Sequence, residues 1–206
     1  MNLHALNIEW FRLLGAGFAA RPACLALARG VAADTVLLLP VLLLALWWRR
    51  PGDRNGLLAA AASGFLALAL AEAVSALVPT PRPFMLNLSP AYLPHPADGS
   101  FPSAHASLIL GVAAGLFLAP GKRLRSWGAG LGAVGIATGW ARVYLGLHFP
   151  LDILGAAGVA GMAAGLLTGF GTGWTAAPRR TLEQLESRLP PVLAPLRRKT
   201  GQNGRA

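Results

Sequence analysis

The sequence predicts an all-α membrane protein with about five transmembrane helices. Of its 206 residues, 54% are hydrophobic and only 13% are charged, and the mean hydropathy is +0.53. This composition is more apolar than that of an ordinary soluble domain. Its basic residues concentrate in three places, 49–54, 122–125 and 179–206, which pairs of apolar segments separate. A helical bundle with these three basic ends on the cytoplasmic face fits the pattern.

The N-terminal segment is predicted to be an interfacial helix. Apolar residues recur at roughly helical spacing through residues 1–22, and the pattern ends at Arg21-Pro22. A cleaved signal is not expected, because the segment carries Glu9 and lacks a basic start. The predicted domains are 1–30 for the interfacial segment, 31–172 for the transmembrane catalytic domain and 173–206 for a basic, weakly ordered cytoplasmic tail.

Turn residues and charges delimit the five predicted spans. The spans cover about 31–48, 57–78, 103–119, 127–145 and 151–171. The first ends at two interfacial tryptophans and two arginines, and the second ends at Pro79. The last two spans carry glycines three and four residues apart, which predicts close helix packing. Loops 79–103 and 142–152 then lie together on the external side.

Ionisable residues gather at this external edge. His105 and His148 lie near the starts of the third and fifth spans, and Asp152 follows His148 by four residues. A histidine attacks phosphorus only if its ring is neutral and oriented, and a carboxylate bonded to its other nitrogen provides both. Arg82 and Arg142 carry planar guanidinium groups that suit a phosphoryl group. The pattern favours covalent chemistry on a phosphate.

Ser103 occupies the position of a helix N-cap, because it follows Pro102 and precedes an apolar run. The helix would direct the free N–H groups of Ala104 and His105 at the external face, where they could bind an anion. A purely structural cap would also account for the serine.

A zinc site is the alternative for the same residues. His105, His148 and Asp152 are three ligands of the kind that zinc accepts. Arg82 and Arg142 would repel a cation there, so an anion is favoured and neither a metal nor another cofactor is expected.

The net charge of +10 raises the question of nucleic-acid binding. Most of the charge lies in the three basic ends, and aromatic residues do not alternate with it as they do in single-strand binders. The expected partner is therefore the bilayer and not nucleic acid. The single cysteine, Cys24, excludes an internal disulfide. The oligomeric state stays open.

Three further polar residues lie near the external edge. Glu72 lies inside the second span without a local partner, so it either hydrogen-bonds within the bundle or lines the route to the site. His95 and Asp98 lie in the long loop and are interpreted as rim residues.

Three motifs resemble the signatures of the type 2 phosphatidic acid phosphatase superfamily. They are Arg82-Pro83, Pro102-Ser103-x-His105 and Arg142-x5-His148-x3-Asp152. The resemblance covers roughly residues 30–172. Within the superfamily, segments 81–84 and 94–103 look like the bacterial undecaprenyl-diphosphatases associated with bacitracin resistance.

This resemblance implies a phosphatase that converts undecaprenyl diphosphate to the monophosphate through a phosphohistidine. That reaction recycles a lipid carrier for cell-wall synthesis at the external face of a bacterial inner membrane. By motif, His148 is the nucleophile, Asp152 its orienter and His105 the general acid. Arg82, Ser103, Ala104 and Arg142 would bind phosphate. Other activities of the superfamily stay open: a phosphatidate or phosphatidylglycerophosphate phosphatase, or a lipid A phosphotransferase. A non-catalytic lipid-binding protein is the remote alternative.

The main departure from the family pattern lies in the first motif. The first motif usually begins with a lysine seven residues before its arginine, and Ser75 stands there. Ser75 and Glu72 lie three residues apart and share a helix face, so both are accessory candidates. His95 or Arg29 could supply the missing positive charge.

Overall fold

The computed structural model confirms an all-α fold. It describes residues 2–171 and 173–188, apart from the side chains of residues 33 and 34, and this part of the chain contains no strand. The helices are α1 (Leu3–Leu14), α2 (Pro22–Arg49), α3 (Arg54–Leu77), α4 (Ala104–Leu118), α5 (Lys122–Tyr144), α6 (Pro150–Gly169) and α7 (Ala176–Ser187). Residues 189–206 of the predicted tail lie outside the described residues.

The first long helix, α2, begins at Pro22 and not near residue 31 as predicted. Proline suits the first turn of a helix, where its missing N–H would have no partner. The helix bends by 42° between residues 32 and 35, and it contains Pro40. The predicted span therefore covers only the part of this helix that follows Arg29 and Gly30.

Within the described part of the chain, two helical segments have the length and apolar composition of membrane spans, Pro51–Leu77 and Pro150–Gly169. The two halves of α2 qualify together. The 15-residue α4 is short for a span, but it packs against α3, α5 and α6. A helix enclosed by protein needs less apolar length facing lipid. The 23-residue α5 is long enough to span a membrane but does not meet the apolar criterion, so the count of five spans stays a prediction.

Small residues let α3 and α4 pack closely. A Cβ atom on Gly115 would lie 2.6 Å from Ala60 Cα, and one on Gly111 would lie 2.8 Å from Ser63 O. This contact was not singled out from the sequence. The predicted glycine packing in α5 and α6 is confirmed at Gly128, Gly135, Gly139 and Gly155 and is wrong at Gly132, Gly158, Gly161 and Gly165, which have open space beside them among the described residues.

The predicted weak order of the tail is wrong for α7, which docks on the α2–α3 connection. Arg54, only 9% exposed, donates to Glu183 Oε1 at 3.0 Å and to Glu186 Oε2 at 2.9 Å. The same guanidinium lies 4.6 Å over the Trp47 ring, whose Nε1 donates to Glu186. A partly buried cation with two carboxylates and an aromatic face holds the helix in place.

Replacing Arg54 with alanine is expected to release α7. Truncating one partner of a largely buried charge network costs about 2 kcal/mol or more. The form in which α7 is detached from the bundle should therefore become roughly thirtyfold more populated. The rate of tryptic cleavage after Arg180 measures this population, because cleavage follows opening. Arg49→Ala, at an exposed arginine of the same end, is the control. Equal cleavage rates in the two variants would contradict the docking role.

The helix order brings all the predicted chemistry to one end of the bundle. The end of α3, the start of α4, the end of α5 and the start of α6 lie there. The basic residues 49–54 and 122–125 lie at the other end, with α7. The expected convergence of the two polar loops is therefore confirmed.

Candidate active site

His148 lies in the short connection between α5 and α6, and its ring is buried with 2% exposure. Its Nδ1 lies 2.9 Å from Ser100 O and 3.3 Å from Asp152 Oδ2. Both of these atoms are acceptors, so Nδ1 carries the proton. Its Nε2 lies 3.1 Å from Arg82 Nη1, a donor, so Nε2 presents its lone pair. The hydrogen bonds thus select the tautomer that a nucleophilic Nε2 needs.

Asp152 holds this ring and caps α6 at the same time. Its Oδ2 accepts from Phe149 N at 2.7 Å, from the Ser100 hydroxyl and from His148 Nδ1. Pro150 opens α6, so Asp152 occupies the third position of the first turn, where a carboxylate can reach back to the cap residue. The carboxylate is 3% exposed and is fixed by all three donors.

All five N–H groups of Arg82 have acceptors in the protein. Nε and Nη2 donate to Asp98 Oδ1 at 2.9 and 2.7 Å, and Nη2 also donates to Gly99 O at 2.9 Å. Nη1 donates to Leu147 O at 2.9 Å and to His148 Nε2. A phosphate at Nε2 must therefore take over one of these bonds, and the bond to His148 is the one that blocks the lone pair.

Arg142 differs from Arg82, because part of its guanidinium has no protein acceptor. It lies in the last turn of α5 and is 1% exposed. Within the described residues, Nε and Nη2 have no hydrogen-bond partner, and neither has the fully buried hydroxyl of Ser103. Buried donors without acceptors are costly. A ligand with several oxygen atoms, such as a phosphoryl group, would satisfy them.

The start of α4 adds backbone donors to the site. Ser103 is the N-cap residue, as predicted, but its side chain makes no capping hydrogen bond. Its N–H donates to Asp152 O at 3.2 Å, which joins α4 to α6. The first intrahelical bond is Ser107 N to Ser103 O, so the N–H groups of Ala104 and His105 point out of the helix end.

His105 lies partly buried in the first turn of α4 and interacts electrostatically with Arg142, His148 and His95. This is the placement that the sequence predicted for a second histidine. Its imidazole is the remaining group in the first turn of α4 that could move a proton.

The accessory candidates differ in where they lie. His95 enters the site, since its ring centroid is 6.2 Å from that of His148. Ser75 packs against Gly99, where a Cβ atom would lie 2.9 Å from Ser75 O. Glu72 is exposed on α3, and Arg29 is exposed and donates to Tyr92 O at 2.9 Å.

Burial and nearby positive charge keep the His148 ring neutral. Burial lowers the pKa of His148 to about 4; the hydrogen bond to Asp152 opposes this, and the charges of Arg142 and Arg82 add to it. Burial raises the pKa of Asp98, but the hydrogen bond from Arg82 and its positive charge outweigh that and lower it overall. At neutral pH the ring is uncharged and Asp98 is ionised.

Sequence reasoning missed the contribution of two residues to the site. Ser100 orients both His148 and Asp152, and Asp98 anchors Arg82 and does not merely line the rim. No spacing signal distinguishes them from other polar loop residues. The guanidinium of Arg82 lies against His148 Nε2, the nitrogen that a metal would need.

Residues 56–175 match the sequence model of the PAP2 superfamily. Over 166 residues the chain is 34% identical to the "Putative undecaprenyl-diphosphatase YbjG" of Escherichia coli (strain K12), a match that covers 80% of each chain. Over 121 residues it is 32% identical to the undecaprenyl-diphosphatase BcrC of Bacillus subtilis (strain 168), covering 58% of this chain and 61% of the relative.

Two crystal structures share the fold. LpxE of Aquifex aeolicus superposes with a TM-score of 0.66 at 24% identity, covering 80% of this chain and 95% of that one. A transmembrane PAP2-type phosphatidylglycerolphosphate phosphatase of Bacillus subtilis gives 0.59 at 21% identity, covering 82% and 85%. At these identities the likeness concerns the architecture of the bundle alone.

Proposed function

The chain belongs to the PAP2 superfamily, and from this premise we propose that it removes the terminal phosphate of a polyprenyl diphosphate, most simply undecaprenyl diphosphate. The observation that carries the proposal is the state of His148: a neutral, buried ring with its Nδ1 proton held by acceptors and its Nε2 lone pair turned to a guanidinium. Such a ring is prepared to attack phosphorus.

In the first step, His148 Nε2 bonds to the terminal phosphorus as the bond from phosphorus to the bridging oxygen breaks. His105 donates its proton to that oxygen, and the lipid monophosphate leaves. Asp152 stabilises the positive ring through Nδ1–H, as an orienting carboxylate does in other nucleophilic triads. The Nη1 group of Arg82 exchanges its bond to Nε2 for a phosphoryl oxygen.

In the second step, water attacks the phosphohistidine. His105, now neutral, takes a proton from this water, the nitrogen–phosphorus bond breaks, and inorganic phosphate leaves with His148 neutral again. Arg142, Ser103 and the first N–H groups of α4 bind the equatorial oxygens, where the charge of the transition state spreads. Their unpartnered donors support this assignment.

The choice of substrate follows the sequence relatives. The two curated proteins named above are both called undecaprenyl-diphosphatases, and one of them matches this chain over 80% of its length. The distribution of basic residues supports an active site at the external face, since the positive end of the bundle is the opposite one. Recycling of a lipid carrier at a bacterial inner membrane is the role that these features favour.

A substrate panel tests the proposal. Purified protein is expected to release phosphate from undecaprenyl diphosphate at least about tenfold faster, in kcat/KM, than from phosphatidate or phosphatidylglycerophosphate, a difference of about 1.4 kcal/mol. Adding a lipid A acceptor should not divert the phosphoryl group. Activity should survive EDTA and be inhibited by vanadate, which mimics five-coordinate phosphorus. Preference for a monophosphate lipid, or loss in EDTA that zinc restores, would refute the proposal.

A further inference from the structure

His95 lies inside the site, although the sequence suggested the rim. Its side chain is 14% exposed, and its ring meets the His148 ring edge-on, with centroids 6.2 Å apart and planes at 81°. The oxygen atoms of a phosphoryl group bonded to His148 would lie roughly 3 Å from the ring nitrogen that carries it. His95 is therefore close enough to touch an anion that His148 attacks.

The hydrogen bond of His95 determines which nitrogen can serve a ligand. Nδ1 lies 3.1 Å from Pro96 O, and because a carbonyl only accepts, Nδ1 carries a proton. Nε2 is then the nitrogen that gains or loses the second proton. A doubly protonated ring could donate an N–H from Nε2 to a phosphate oxygen while it keeps the bond to Pro96.

The charged groups around His95 disfavour a second proton on its ring unless an anion is bound nearby. The groups that interact electrostatically with it are Arg82, Arg142, Asp98, His105 and His148. Burial lowers the pKa of His95, and the two guanidinium charges lower it further, whereas the bond to Pro96 and Asp98 at 3.8 Å raise it. An anion between the arginines would remove much of this repulsion, so its binding favours proton uptake.

We propose that His95 is a phosphate-binding residue that takes up a proton when the phosphoryl group binds and then donates a hydrogen bond from Nε2. The inference rests on the proposed function, because it assigns a contact in the same site. It also accounts for Ser75, which packs against Gly99 and leaves the positive charge to be supplied from the loop.

The consequence is a phosphate affinity that depends on pH through one residue. Below the pKa of His95 in the complex, the N–H from Nε2 is present; above it, the contact is lost. A hydrogen bond between charged groups is worth about tenfold in affinity or more. A lysine at the same position would be protonated throughout and would remove this dependence.

Calorimetric titration with inorganic phosphate tests the inference in wild type, His95→Gln, His95→Lys and the control His4→Gln, which changes an exposed histidine of α1. The ratio of the dissociation constant of His95→Gln to that of wild type should be about ten at pH 6 and close to one at pH 8.5. Taking the ratio cancels the titration of phosphate and of the other site residues. His95→Lys should bind at least as tightly as wild type at pH 8.5, and His4→Gln should match wild type.

A ratio near one at both pH values would overturn the contact, and a large ratio that does not change with pH would overturn the proton uptake. Circular dichroism and size-exclusion profiles show whether each variant is folded, and His95→Lys gives a second reading if His95→Gln is not. These titrations need no turnover. The proposed function is tested by other experiments, the substrate panel and the activity of a His148 variant. If it were refuted there, the phosphate affinities would still decide the role of His95.

Discussion

A His148→Ala variant is expected to lose at least roughly 10³-fold of the phosphate-release activity, because the atom that bonds to phosphorus is gone. The remaining site would still bind substrate through Arg142 and the start of α4. The KM should thus change far less than kcat. Phosphate release from undecaprenyl diphosphate by the purified protein measures both constants.

The buried position of His148 calls for a second variant. Alanine leaves Asp152 and Ser100 O without their ring partner, which costs stability independently of the chemistry. Glutamine can donate an amide N–H to the same acceptors, so His148→Gln separates folding from catalysis. Both variants should be inactive, whereas His4→Gln should be fully active. Phosphate release at the wild-type rate by a folded His148 variant would refute the covalent mechanism.

The covalent intermediate itself should be trapped in a His105→Ala variant. Without His105, water is not activated, so hydrolysis of the phosphohistidine should be slow. A substrate with a good leaving group should then phosphorylate His148 faster than the phosphohistidine is hydrolysed. Phosphohistidine is labile to acid and stable to alkali, which identifies the labelled residue. Label that survives acid would point to a serine.

The second large effect is expected for Asp152→Asn, which should lower kcat by roughly 10²–10⁴-fold with little change in KM. The asparagine oxygen can still accept from Phe149 N, so the cap of α6 is kept. The charge that stabilises the positive His148 ring is lost, and the amide can turn a donor toward Nδ1, which favours the wrong tautomer. The measurement is steady-state kinetics on the diphosphate lipid.

Asp53→Asn, at the opposite end of the bundle, is the matched control for this change of charge. It should leave kcat and KM unchanged. A loss in Asp152→Asn that appears only as a raised KM would mean that Asp152 acts on substrate binding and not on the ring. A loss of folded protein would mean that the capping role dominates.

Much of the fold was predictable, because its signals are local. Apolar runs of membrane length, turn residues between them and basic ends all follow from neighbouring residues. The helix start at Ser103 was predicted from capping chemistry alone. The start of α2 was missed, since Arg29 and Gly30 interrupt the apolar run while the chain remains helical.

The site was predictable as a set of residues but not as a set of bonds. Motif spacing brought His148, Asp152, Arg142 and His105 to one end of the bundle. It treated Arg82 and Arg142 alike, although only Arg142 has buried N–H groups without a partner among the described residues. Hydrogen-bond partners depend on distances of a few tenths of an ångström, which residue spacing does not encode.

The sequence by itself determined the membrane-spanning class and the end of the bundle at which the motif residues gather, because each follows from patterns within one helix or one turn. Only the tertiary structure decided the partners across the chain. Asp98 meets Arg82 across 16 residues, Ser100 meets Asp152 across 52, and Arg54 meets Glu183 across 129. Such contacts form where packed helices bring distant side chains within about 3 Å, and that distance is set by the packing of whole helices.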